Sequence, residues 1–82
     1  MDLEPDQIRR PEKLEARYAN YFQIGHNAIE LLVEFGQSYT DDPEPLLHTR
    51  ILTNPAYAKK LLILLQESMQ EYEAEFGAVS DS

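Results

Sequence analysis

The chain of 82 residues has no cysteine and no tryptophan, and it contains only three glycines and two histidines. Without cysteine, neither a disulfide nor a thiolate metal site can stabilise the fold, and cysteine usage leaves the redox compartment open. A structural zinc site would need carboxylates beside the histidines. Because a single small domain buries little of its surface, we expect a partner subunit to supply the missing stability.

Basic residues are also scarce, with seven Lys and Arg against fifteen Asp and Glu and a net charge of −8. No segment is basic, which argues against binding of nucleic acid or an anionic membrane surface. The apolar runs are far shorter than the ~20 residues that span a bilayer. The start, "MDLEPDQIRR", lacks the pattern of a secretion signal, so we expect a cytoplasmic protein.

Composition divides the chain into three parts. Residues 1–17 contain two prolines and nine charged groups, which predicts an acidic arm that is disordered or ordered only by a partner. Residues 18–77 form the predicted domain. Residues 78–82 are expected to fray.

Three segments of the domain have the composition of strands. They are "YANYFQI" (18–24), "IELLVEF" (29–35) and "LLHTRIL" (46–52). A turn is predicted at Gly25-His26-Asn27, and Gly36 is expected to end the second strand. The polar segment 37–45, with two prolines, is predicted to be a loop.

Alternation along the strands assigns side chains to two faces. The core-facing set is predicted to be Ile29, Leu31, Val33, Phe35, Leu47, Thr49 and Ile51. The far set is predicted to be Glu30, Leu32, Glu34, His48, Arg50 and Leu52.

One long helix is predicted to follow, from Pro55 to Phe76. Asn54 suits the N-cap, Pro55 the first helical position and Gly77 the residue after the helix. Its apolar stripe comprises Ala58, Leu61, Leu62, Leu65, Met69, Tyr72 and Phe76. We predict an α+β fold, in which a three-stranded antiparallel meander precedes one long C-terminal helix packed on one sheet face.

Further apolar residues exceed what one chain needs to fill such a core. They are Tyr57, Ile63 and Leu64 on the helix, and Tyr21, Leu32 and Leu52 on the far face of the sheet. We predict that these six residues form an interface and that the protein is a homo-oligomer, a dimer or larger.

Several short motifs occur in a specific order. They are Tyr18-Ala19-Asn20, His26, Glu30, Glu34-Phe35, Arg50-Ile51, Pro55, Ala58-Lys59-Lys60-Leu61-Leu62, and Tyr72-Glu73 with Phe76-Gly77. Over residues 18–77 the chain resembles the small bacterial and archaeal proteins catalogued as domain of unknown function 3467. That resemblance implies no activity, because the family is uncharacterised. A looser likeness, in the strand meander and long helix, is to SecB-like export chaperones.

His26, Glu30 and His48 are the candidates for a metal or acid–base site. The alternative is cross-strand pairing of Glu30 and Glu34 with His48 and Arg50, which we favour because the sequence shows no nucleophile or phosphate-binding motif. We therefore expect no catalytic residue, metal or cofactor.

Three functions follow from these features. The first is a non-catalytic interaction protein, an acidic oligomer that docks a larger protein partner. The second is a SecB-like holdase that binds unfolded segments. The third, and least favoured, is a small metal-dependent enzyme.

Overall fold

A computed structural model describes residues 8–80. Within this range the chain forms strands β1 (Tyr21–His26), β2 (Leu31–Tyr39) and β3 (Asp42–Thr53), followed by helix α1 (Pro55–Phe76). The strands form one antiparallel sheet in the order β1-β2-β3. The predicted α+β class, with a meander followed by one C-terminal helix, is confirmed.

The residues before β1 form neither helix nor strand from position 8 to position 20. The only local feature there is a turn at 12–13. The rest of the predicted arm, residues 1–7, and the last two residues of the predicted tail lie outside the described range.

The first turn lies two residues later than predicted. β1 continues through His26, and the turn is built around Asn27. The Asn27 Oδ1 atom accepts hydrogen bonds from the backbone N–H groups of Ile29 and Glu30, both at 2.8 Å. This is the local side-chain bonding that makes Asn a turn residue. Ile29 consequently lies in the turn, 74% exposed, rather than on the core-facing side of a strand.

The predicted loop at 37–45 is wrong, as is the end of the second strand at Gly36. β2 runs on to Tyr39, which pairs with Asp42 at the start of β3, so the connection is a tight hairpin. Pro43 and Pro45 lie in β3 itself. They are tolerated because β3 is an edge strand, where a missing N–H need not cost a ladder hydrogen bond.

A β-bulge at His48 changes the predicted faces. Phe35 pairs with Thr49 but Gly36 pairs with Leu47, which leaves His48 as an extra residue in β3. Leu47 therefore shares the face of Glu34, and its predicted core-facing position is wrong. The other pairs keep the predicted faces: Val33 with Ile51, Leu32 with Leu52 and Glu34 with Arg50.

Both helix boundaries are as predicted. The Asn54 side chain accepts a hydrogen bond from the backbone N–H of Tyr57 at 2.9 Å, and Pro55 opens the helix. Gly77 has φ 97° and donates its N–H to the carbonyl of Glu73 at 2.9 Å. A positive φ of this kind favours glycine and ends the helix.

The helix does not pack on its own sheet, contrary to the prediction. Every residue of α1 is exposed except the half-buried Ala58. The cause is the connection, because Asn54 alone separates β3 from α1. Asn54 is extended, with φ −113° and ψ 166°, as a residue before proline prefers. A helix that folds back on its sheet usually has a connection of about 2–6 residues.

A substitution of Gly36 tests the close approach of β2 to β3 at the bulge. A Cβ atom there would lie 2.6 Å from the backbone oxygen of Leu46 and 3.0 Å from Leu47 Cα, so strands β2 and β3 would have to move apart. We expect Gly36→Ala to lower the free energy of unfolding by about 1–3 kcal/mol. Gly25→Ala is the matched control, because a Cβ at Gly25 meets nothing within 4 Å. Denaturant unfolding at equal chain concentration measures both, and equal stability of the two variants would contradict the account of the bulge.

Candidate interaction surfaces

The chain has no core of its own across residues 8–80. No apolar side chain in this range is buried, and Gly36 is the one buried residue. The accessible surface is 7974 Å², whereas a compact monomer of this mass exposes roughly 5,000 Å². The radius of gyration is 15.3 Å, against roughly 12 Å for a compact domain of this length. The large apolar side chains are therefore displayed rather than enclosed.

The first apolar surface is one side of the sheet. The pairing of β1 with β2 and of β2 with β3 places six large apolar residues on this side, here called the apolar sheet face: Phe22, Ile24, Leu31, Val33, Phe35 and Ile51. The polar residues His26, Thr49 and Thr53 pair with members of this set and lie on the same side. The rings of Phe22 and Phe35 meet edge to face, with centroids 5.8 Å apart. Ile24 is still 68% exposed, so strand neighbours alone do not cover this face.

The second apolar surface is the helix. The predicted stripe, here called the apolar helix stripe, consists of Ala58, Leu61, Leu62, Leu65, Met69, Tyr72 and Phe76. Leu65, at its centre, is 58% exposed. The rings of Tyr72 and Phe76 contact each other with centroids 5.0 Å apart. The stripe predicted to lie on the sheet of the same chain thus has no cover from residues 8–80 of that chain.

The six predicted interface residues lie at the surface but do not form one patch. Tyr57, Ile63 and Leu64 are exposed on the helix, and Leu64 is 63% exposed. Their counterparts on the far sheet face are Tyr21, Leu32 and Leu52, with Leu32 directly opposite Leu52. Their role in an interface stays a prediction.

The far sheet face is partly polar. Arg50 donates from Nε and Nη2 to the same Glu34 carboxylate oxygen, at 3.0 Å and 2.8 Å. This is the predicted cross-strand pairing for Glu34 and Arg50. A shallow depression of about 250 Å³ lies beside the pair and is lined by Glu34, Leu47, His48, Thr49 and Arg50. Because it is open and its ion pair is already satisfied, the depression offers no enclosed binding site.

His48 has a structural position that the sequence did not reveal. Its Nε2 atom lies 2.9 Å from the carbonyl oxygen of Tyr18, and its Nδ1 atom lies 2.7 Å from the Thr49 hydroxyl. A carbonyl only accepts, so Nε2 donates, and in the neutral ring Nδ1 accepts from Thr49. His48 therefore ties the segment before β1 to the bulge of β3, rather than pairing with Glu30.

Asn20 provides a second tie in the same region. Its side-chain amide donates to the Ser38 carbonyl at 3.1 Å, and its Oδ1 accepts from the Ser38 N–H at 2.7 Å. Its backbone N–H also donates to the carbonyl of Gly36 at 3.0 Å. The side chain thus continues the β1–β2 ladder by one pair of hydrogen bonds. The Tyr18-Ala19-Asn20 motif had marked this residue, but the sequence alone did not explain what its side chain does.

The candidate metal and acid–base residues are dispersed. His26 pairs with Leu31 at one end of the sheet, and His48 lies beside Gly36 about five residues along β2. At ~3.4 Å per residue the separation along the strand is roughly 17 Å. Glu30 lies in the turn after Asn27. Between residues 8 and 80, no group of three or more His, Asp or Glu side chains is placed to hold a metal ion.

Comparison with known proteins places the chain in a family without adding an activity. No helix in residues 8–80 has the length and apolar character needed to cross a membrane. No curated protein and no solved structure matches the chain. A family model does match, over residues 3–81, which is nearly the whole length. The chain therefore belongs to the family described as Protein of unknown function (DUF3467).

Proposed function

We propose that this protein is a non-catalytic interaction protein that works as a homo-oligomer and docks a larger protein partner. The observation that carries the proposal is the absence of any buried apolar side chain in the described part of the chain. Burial of apolar surface is the dominant favourable term in folding. A sheet and a helix that bury so little within one chain need a second surface to be stable.

The size of the exposed surface supports self-association. Each chain exposes roughly 2,900 Å² more than a compact monomer of its mass, and this excess includes the exposed segment before β1 as well as the sheet and the helix. Summed over two chains, this excess area is larger than the roughly 2,000–5,000 Å² that obligate homodimer interfaces bury. A second copy of the same chain is always present wherever the protein is made, so another copy is the simplest partner to cover apolar surfaces of this extent.

The charge of the helix supports a basic surface on the larger partner. The first turn of α1 has no acidic residue and its last turn has no basic residue. Charges of these signs at these ends would interact favourably with the helix dipole. Instead Glu67, Glu71 and Glu75 follow one another at intervals of four, where like charges repel. A basic partner surface would relieve this repulsion and would be attracted by the net charge of −8.

A SecB-like holdase is the second candidate, and the same exposed apolar faces favour it. Such a protein would bind unrelated unfolded chains rather than one partner. The two functions differ in what they predict for purified protein added to an aggregating test substrate. Suppressed aggregation of several unrelated substrates would favour the holdase, and unchanged aggregation would favour the docking protein.

The oligomer is tested by adding a charge to an exposed leucine. Leu64→Glu should have little effect on a monomer, because surface substitutions usually change stability by less than about 0.5 kcal/mol. In an oligomer that buries Leu64, the unpaired charge should weaken association at least about tenfold, or about 1.4 kcal/mol. Gln70→Glu adds the same charge on another side of the helix and is the control. Light scattering at fixed chain concentration gives the mass. A wild-type monomer would overturn the proposed oligomer, and an unchanged Leu64→Glu oligomer would remove Leu64 from its interface.

Docking is tested by neutralising the acidic row of the helix. The triple variant Glu67→Gln, Glu71→Gln and Glu75→Gln keeps the shape of these side chains and removes three charges. We expect the wild-type protein to retain one stoichiometric basic partner from a lysate of its host, and the triple variant to lose it. Light scattering of the variant verifies that self-association survives. Retention of the same partner by both proteins would contradict the charge-based docking, and retention of no partner would contradict docking itself.

A further inference from the structure

We infer that the apolar sheet face of each chain is covered by helix α1 of a second copy, in a reciprocal exchange of helices. This inference rests on the self-association proposed above and specifies its geometry. The occupant of the apolar sheet face is thus the apolar helix stripe of another chain.

The hinge between sheet and helix favours exchange over closure within one chain. Asn54 is the single residue between Thr53, the last residue of β3, and Pro55, the first of α1. Its extended backbone continues the direction of the strand, and proline fixes the next φ near −65°. Asn54 is also held as the N-cap by the backbone N–H of Tyr57. A short, rigid connection of this kind keeps the helix off its own sheet and is the arrangement that promotes exchange between protomers.

The helix is about as long as the strands of the sheet that it would cover. The 22 residues of α1 span roughly 33 Å at 1.5 Å per residue. β2, with nine residues, and β3, with twelve, span roughly 30 and 40 Å. The six residues of the apolar sheet face lie on or opposite residues 31–35 of β2, so the helix would cover this face and continue past it along the strands.

The two surfaces also match in chemistry. The apolar sheet face and the apolar helix stripe both consist of uncharged residues, and the polar neighbours on that side of the sheet are His26, Thr49 and Thr53. Pairing them leaves Lys59, Glu67 and Gln70 on the outer side of the helix, facing water. Exchange in both directions gives a two-fold symmetric dimer, in which each copy covers and is covered once.

Pairing through sheet edges is the competing arrangement. In the described part of the chain no strand pairs with the outer edge of β1, whereas the outer edge of β3 carries Pro43 and Pro45, which hinder addition of a strand. A second copy could therefore add at β1. Edge pairing alone would leave the apolar sheet face and the apolar helix stripe uncovered, so helix exchange accounts for more of the structure.

Introduced cysteines test the exchange, because the chain has none of its own. One preparation carries Leu65→Cys at the centre of the apolar helix stripe, and an isotope-labelled preparation carries Val33→Cys on the apolar sheet face. The two are unfolded together, refolded together and treated with a short bismaleimide cross-linker. A mixed product, identified by its mass, can form only between two chains. The control replaces Leu65→Cys by Ala74→Cys, which lies on the side of the helix opposite the stripe.

We expect a mixed Leu65–Val33 product and its loss when Ala74→Cys is used instead. A second variant inserts Gly-Ser-Gly-Ser between Thr53 and Asn54, which keeps the N-cap but frees the helix to fold back; it should shift the protein from dimer towards monomer. An oligomer that gives no mixed product, or equal product with Ala74→Cys, would overturn the exchange and leave the proposed oligomer standing. A wild-type protein that is monomeric by light scattering would overturn both.

Discussion

The connection of one residue between β3 and α1 governs what this chain can bury. Because Asn54 is extended and Pro55 follows it, the helix leaves the sheet instead of returning over it. The apolar sheet face and the apolar helix stripe are therefore presented separately to solvent. A chain of 82 residues would be marginally stable even with both surfaces packed together. With the surfaces apart, the described part of one chain gains little hydrophobic stabilisation, which is the basis of the proposed self-association.

The sheet is nevertheless well specified by polar contacts and close backbone packing. Asn27 builds the first turn, and Asn20 extends the β1–β2 ladder to Ser38. His48 occupies the bulge and holds the carbonyl of Tyr18. Tyr18 and Asn20 belong to the Tyr18-Ala19-Asn20 motif, and these contacts give that motif a structural role. His48 belongs to the framework of the sheet, and its two ring nitrogens are already engaged.

Local signals in the sequence predicted the elements well. The N-cap at Asn54, the proline after it and the end of the helix at Gly77 depend on backbone chemistry within a few residues, and all three were predicted correctly. The alternation in residues 29–35 predicted the second strand and the common face of Val33 and Ile51. The pairing of Glu34 with Arg50 followed from the same alternation.

The predictions that were wrong concern features that depend on residues distant in the sequence. Pro43 and Pro45 indicated a loop, but the edge position of β3 removes the cost of proline in a strand. The bulge at His48 depends on the close approach of Gly36 to Leu46 and Leu47, which composition does not reveal. The packing of the helix was wrong because an apolar stripe shows that a helix needs a partner surface without showing which chain supplies it.

Coupling of folding to association is the central claim, and thermal unfolding over a range of chain concentrations tests it most directly. For a dimer, each tenfold increase in concentration adds about 1.4 kcal/mol of stability. For two chains of this size the account predicts a rise in Tm of about 4 °C per tenfold increase, with loss of helical signal on dilution. A hundredfold range of chain concentration corresponds to roughly 2.7 kcal/mol of stability for a dimer. A Tm and a helix content that stay constant across this range would contradict the coupling of folding to association.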